Sequence, residues 1–183
     1  MKTIFYCILV FSVILFSLPA SATSNYINEL EQYAVWKNNK KITVWVQPCK
    51  YSNTIYQAFN EWVLASGNCI RFVNSKSKDS ANITVSFVPT LDGVQVGVTH
   101  HYSNGPYMYK ANVMLRYLEF NNKNVSQEKM FAVALHEIGH ALGIMGHSSS
   151  RNDIMYPTTD IIGIHASNRD VNTIREFYCS GKY

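Results

Sequence analysis

Residues 136–148 read His-Glu-Ile-Gly-His-Ala-Leu-Gly-Ile-Met-Gly-His-Ser, and residues 153–157 follow as Asp-Ile-Met-Tyr-Pro. His136 and His140 stand four apart, so on a helix both imidazoles leave one face, close enough to share one ion. Zinc takes neutral imidazole nitrogens at about 2.0–2.1 Å and, in a catalytic site, keeps a position open for water. From beside the first ligand, Glu137 reaches past such an ion toward that water and accepts its proton. The string therefore reads as a catalytic zinc site with Glu137 as general base, rather than as a helix with two ordinary histidines.

Outward from this stretch, Ser126 is the expected cap of a helix that runs to about Leu142. Upstream, Ile42 to Val46 alternate as a strand, and Ser52 is the expected cap of a helix over 53–65 with Ile55, Phe59, Trp62 and Val63 at helical spacing. Gly67-Asn68 stops that helix, Cys69 to Val73 reads as a strand, and Ile83, Val85 and Phe87 alternate in another that Pro89 closes. Val94 to Tyr102 and Tyr107 to Tyr117 form a predicted hairpin across Ser103-Asn104-Gly105. Downstream, Ser167 and Asp170 make a capping-box pair that opens a C-terminal helix. The expected fold class is α+β: a mixed, mostly parallel twisted sheet with an antiparallel edge strand, the metal-bearing helix beneath it, and a C-terminal helix.

The N-terminus is set apart from this domain. Lys2, an apolar run from Ile4 to Leu18, Pro19 and then Ala20-Ser21-Ala22 read as a secretory signal peptide over 1–22, leaving a single domain over 23–183. No later stretch is long and apolar enough to span a bilayer, so the mature chain is expected to be soluble. The formal charge of +4 is scattered over lysines with no basic stripe, which argues against a nucleic-acid partner. Cys7 leaves with the signal, and Cys49, Cys69 and Cys179 allow at most one internal bridge. Cys49 and Cys69 flank a helix whose ends lie about 20 Å apart, so a bridge through Cys179 is the easier geometry, with one thiol left over. Asn82 and Asn124 fit the glycosylation sequon, but Asn82 opens a predicted strand and reads there as chance.

The stretches quoted at the outset resemble the metzincins and, through Ser148 after the last histidine, their matrixin branch. By this resemblance Gly143 ends the active-site helix, where a residue lacking Cβ takes φ > 0, and Met155 forms the Met-turn beneath the metal. The family pattern puts its third histidine three residues after that glycine, where this chain has Gly146. His147 follows one residue later, and Met155 stands eight beyond His147, the matrixin spacing. One inserted residue, bulging at Gly146, accounts for both, and makes His147 the third ligand; the competing assignment completes the site with Asp153 or a second water. Too few residues precede the first strand for a pro-domain, Cys49 does not sit in a cysteine-switch sequence, and the structural zinc and calcium loops of the animal enzymes are not evident. His100 and His101, adjacent on a strand, face opposite ways and read as rim residues rather than a second metal site, and His165 as a loop residue.

The resemblance implies an endopeptidase with one catalytic zinc, acting on extended polypeptides through a zinc-bound water that Glu137 activates; with the signal peptide, it is expected to be a secreted monomer, or a periplasmic one in a Gram-negative bacterium. Its substrate pairs with the Val94–Tyr102 edge. Tyr156, Pro157 and the chain to Gly163 wall the pocket for the residue after the scissile bond, and the small Ala132 leaves that pocket roomy. Two other functions compete: a catalytically silent zinc-binding module serving as adhesin or decoy, and an amidase for a non-protein amide such as peptidoglycan cross-links. The intact Glu137 argues against the first. An edge strand suited to peptide pairing favours polypeptides over the second.

Overall fold

A computed structural model describes residues 24–30, 32–158 and 165–182. The expected signal peptide over 1–22 lies outside the described residues. Six strands and three helices follow in the order β1 (Val35–Trp36), β2 (Ile42–Val46), α1 (Ser52–Ala65), β3 (Phe72–Asn74), β4 (Ile83–Val88), β5 (Gly97–Asn104), β6 (Tyr107–Arg116), α2 (Gln127–Ala141) and α3 (Asn168–Tyr178). A 3-10 turn over Ile27–Glu29 precedes them.

The strands form one sheet in the order β1-β6-β4-β2-β3, parallel throughout, with β5 joined antiparallel to β6. This is the mixed, mostly parallel α+β architecture that the residue pattern predicts. Ile42, Val44 and Val46 of β2 turn inward in strict alternation, as do Ala111, Val113 and Leu115 of β6. β5 pairs only with β6 among the described strands, so its other edge is open. α2 packs against α1 and beneath β5 and β6. Trp62 of α1 is fully buried against α2, where its indole N–H donates to the Leu135 carbonyl at 3.0 Å. Among the described residues no helix is long and apolar enough to cross a membrane.

Four local expectations change. β1 escapes a pattern search because two residues show no alternation; Trp36 is nevertheless buried there, and its indole N–H satisfies the Ala141 carbonyl at the end of α2 at 2.8 Å. Ser52 is the first residue of α1 rather than its cap: its hydroxyl accepts from the Cys49 N–H at 2.9 Å and organises the turn that leads into the helix. The hairpin turns at Gly105-Pro106, with Asn104 still paired to Tyr107, because Gly105 supplies the positive φ of +56°. Strand pairing also starts late in two places, at Phe72 and at Gly97. Left-handed Gly67 and Asn68 reverse the chain after α1, and Val94 stands exposed on the loop before β5.

Cys69 and Cys179 form a disulfide with their Cα atoms 5.5 Å apart, tying the end of the α1 turn to the end of α3, while Cys49 is free and exposed. The bridge closes a separation of 110 residues, so its loss frees a long loop in the unfolded chain. Cys179→Ser is expected to lower stability by about 2–5 kcal/mol in urea unfolding. Reducing agent should lower the wild type to the same level and leave the variant unmoved.

Candidate metal centre

The centre is built from the end of α2. Ser126 caps the start of this helix by accepting from the Lys129 N–H at 3.1 Å. Its far end is set by Gly143, whose φ is +105°. A Cβ there would also stand 1.8 Å from the Ala34 carbonyl oxygen. The chain can therefore turn back only over a glycine, because the segment leading into β1 passes directly across it. Tyr33 and Ile144 form a bridge at this crossing, and the reversed chain brings His147 over the helix face that carries His136 and His140.

The three histidines converge, with one ring nitrogen of each lying within 4.8 Å of the others. The Nε2 atoms of His136 and His140 are 3.1 Å apart, and the His147 ring stacks over His136 with centroids 5.3 Å apart. His136 Nδ1 donates to the Ile154 carbonyl at 2.6 Å and His140 Nδ1 to the Ile144 carbonyl at 2.5 Å. A carbonyl only accepts, so each Nδ1 carries the proton and each Nε2 lone pair faces the centre. Burial holds the His136 imidazole down to about 4 and, with His136 beside it, the His140 imidazole down to about 3; burial lowers His147 as well. Neutral imidazoles with converging lone pairs fit a divalent cation of the zinc class.

Met155 is fully buried. It packs so closely on Gly139 that a Cβ at 139 would lie 2.3 Å from its Sδ. The main chain of the turn is held from α3: buried Asp170 accepts from the Ile154 N–H at 2.8 Å, from the Ser167 N–H at 2.8 Å and from the Tyr26 hydroxyl at 2.8 Å. The expected capping box of Ser167 and Asp170 is formed, and the same carboxylate reaches the Met155 turn. Asp153 faces the other way, accepting from Ser148 Oγ, from Ser167 Oγ at 2.7 Å and from Arg169 Nη1 at 2.9 Å. The structure thus brings His147, and not Asp153, to the other two histidines.

Glu137 is 6% exposed, and burial raises its carboxyl to about 7 against the opposing hydrogen bond from Thr99. It borders a cleft of about 530 Å³ between α2 and β5 that also takes in Tyr156, Pro157 and Phe120.

The family model of the matrixins, the M10 peptidases, matches residues 28–179. The chain belongs to the matrixin family. It is 32% identical over 114 residues to stromelysin-1 of Mus musculus, an alignment covering 56% of this chain and 23% of that protein. It is 31% identical over 136 residues to the metalloendoproteinase 2-MMP of Arabidopsis thaliana, covering 67% of this chain and 35% of that protein. Against matrix metalloproteinase-25 of Homo sapiens it is 31% identical over 110 residues, 55% of this chain and 19% of that protein. The chain thus spans about a quarter of the length of the stromelysin it matches.

In this matrixin the spacing from His147 to Met155 has a visible cause. Ser148, directly after the histidine, donates its N–H to the Met155 carbonyl at 2.8 Å and closes the loop between them. The φ of Gly146 is not positive, and a Cβ there would meet only Leu30, its Cδ2 at 3.2 Å and its Cα at 3.9 Å. Between Gly143 and Gly146, Ile144 pairs with Tyr33 and Met145 lines the cleft. Ala132 is buried and is not among the residues lining the cleft. Val133 lines the cleft, because 133, 136, 137 and 140 form one helical stripe and 132 falls a residue off it. Residues 159–163 of the expected wall lie outside the described residues.

His100 is exposed and His101 lines the cleft, as strand alternation requires. His165 Nδ1 lies 3.0 Å from the Glu61 carboxylate. The Gly97 and Thr99 contacts to Glu137 were not foreseeable from the residue pattern, since strand alternation does not say which residue of an apposed helix a side chain meets.

The Gly139–Met155 contact has a sign that can be measured. In an exposed helix interior, Gly→Ala stabilises by about 1 kcal/mol. Here the added methyl must push Met155 away, so Gly139→Ala is expected to destabilise by about 1–3 kcal/mol in thermal or urea unfolding. A rise in stability would show that the Met155 floor is not tightly packed.

Proposed function

We propose that this matrixin is a secreted zinc-dependent endopeptidase that hydrolyses extended polypeptides, with His136, His140 and His147 holding one zinc ion and Glu137 as general base. The observation that carries the reading is the convergence of three neutral imidazoles with a buried carboxylate beside them, under the open edge of β5. Bound there, zinc supplies a Lewis acid that polarises the scissile carbonyl and makes an attacking water more acidic. Glu137 takes the proton that this water loses and returns it to the leaving nitrogen. A carboxyl raised to about 7 by burial suits both transfers near neutral pH. Hydrogen bonds from the Nδ1 atoms to Ile154 and Ile144 keep the rings aimed, and Met155 packs on Gly139 of the helix that carries them.

The open edge of β5 offers main-chain donors and acceptors to a peptide in extended conformation. Val133, Tyr156 and Pro157 then present an apolar wall to one substrate side chain. Secretion rests on the signal-like segment over 1–22, whose removal leaves the domain described here.

Incubating the protein with a mixed proteome, with and without a chelator, separates this function from its competitors. Chelator-sensitive cleavage that Glu137→Ala abolishes is the expected result. A wild type that holds zinc yet cleaves nothing would make the chain a binding module, and turnover confined to peptidoglycan would make it an amidase. His147→Ala is expected to weaken zinc binding at least tenfold, about 1.4 kcal/mol, and to lower activity with it. Unchanged zinc content and activity in that variant would remove His147 from the site.

A further inference from the structure

Glu137 sits on α2, but what holds its carboxylate comes from β5. The Thr99 hydroxyl lies 2.7 Å from Glu137 Oε2 and 3.0 Å from the main-chain carbonyl of the same residue. Among the described residues no other side chain hydrogen-bonds this carboxylate. Two positions earlier on the same face of the strand, Gly97 leaves the space in which the carboxylate lies. A Cβ at 97 would stand 2.6 Å from Oε1, 2.7 Å from Cγ and 2.9 Å from Cδ. The φ of Gly97 is not in the left-handed region, so its backbone does not call for glycine. The reason for a glycine here is room.

Without these contacts a glutamate has three side-chain torsions to settle, and a base that wanders from its proton loses effective concentration. We propose that Gly97 and Thr99 form a cradle on β5 that positions the Glu137 carboxylate for proton transfer, the glycine by the space it leaves and the threonine by its hydroxyl. Both are positioning residues that act through Glu137. The proposal rests on Glu137 being the general base.

The substitution Thr99→Val removes the hydroxyl and keeps the shape, whereas Thr99→Ser keeps the hydroxyl. For Thr99→Val, kcat on a peptide substrate should fall by about ten- to a hundredfold, with KM within about twofold of wild type. Thr99→Ser should recover kcat to within about threefold of wild type. Gly97→Ala should lower kcat in the same way. All three variants should bind zinc as the wild type does and unfold at a similar temperature. A crystal structure of Thr99→Val without metal should show the carboxylate displaced from its wild-type position while α2 and β5 stay in place.

Glu137→Gln is the control. If it abolishes turnover while Thr99→Val turns over like wild type, the cradle is wrong and the general base stands. If Glu137→Gln itself stays active, the general-base reading fails and the cradle with it. Equal losses in Thr99→Val and Thr99→Ser, or a loss of zinc or of stability that matches the loss of kcat, would reduce Thr99 to packing and overturn the proposal.

Discussion

One residue, Ile154, connects the His136 ring to the core of the molecule through both of its main-chain polar groups. The Ile154 carbonyl accepts the Nδ1 proton of His136, while the Ile154 N–H donates to the buried carboxylate of Asp170 at the start of α3. The ring can therefore point its free nitrogen at the centre only while the turn before Met155 stays seated on α3. Asp170 in turn accepts from the Tyr26 hydroxyl, so the segment ahead of β1 bears on the same turn. Arg169, beside it, ties Asp153 to Glu29, and Glu29 accepts from Ser149 at 2.9 Å. The ends of the domain meet behind the centre, and the Cys69–Cys179 bridge fastens the far end of α3.

Burial acts on the two kinds of group in this centre in opposite directions. It lowers the imidazoles and raises the carboxyl, favouring the neutral form in each case. A neutral imidazole is what a cation requires, and a carboxyl near neutrality exchanges a proton in either direction. Gly97, Gly139 and Gly143 each permit a contact that a methyl group would block: the glutamate against β5, Met155 against α2, and the Ala34 carbonyl against the helix end. Close approach of backbone is thus the means by which a small domain crowds three rings and a carboxylate together.

β5 has two tasks in this arrangement. Its outward edge is open to an extended chain, and its inward face, through Gly97, Thr99 and His101, looks onto the cleft. Under the proposed function, a substrate docked on the edge and Glu137, which sits on α2 but is hydrogen-bonded by Thr99, would both take their position from β5.

The histidine spacing alone determined that two imidazoles share a helix face, because a helix returns to the same side every three to four residues. Alternation determined β2 and β4, the turn residues around Asn104-Gly105 determined the β5–β6 hairpin, and the run of elements determined the α+β class. The distance from His147 to Met155 selected the third histidine, and Ser148 holding Met155 across that loop is the physical basis of the spacing. Local pattern did not reach β1, too short to alternate, nor the turn at Gly105-Pro106, nor the choice of Val133 over Ala132, which depends on a rotation of a single residue about the helix. Only tertiary structure decided that Asp153 serves Arg169, that Cys69 meets Cys179 across 110 residues, and that Glu137 rests on Gly97 and Thr99. Those are contacts between elements far apart in the chain. Periodicity shows which face of an element is buried, but what that face meets is settled only when the elements pack.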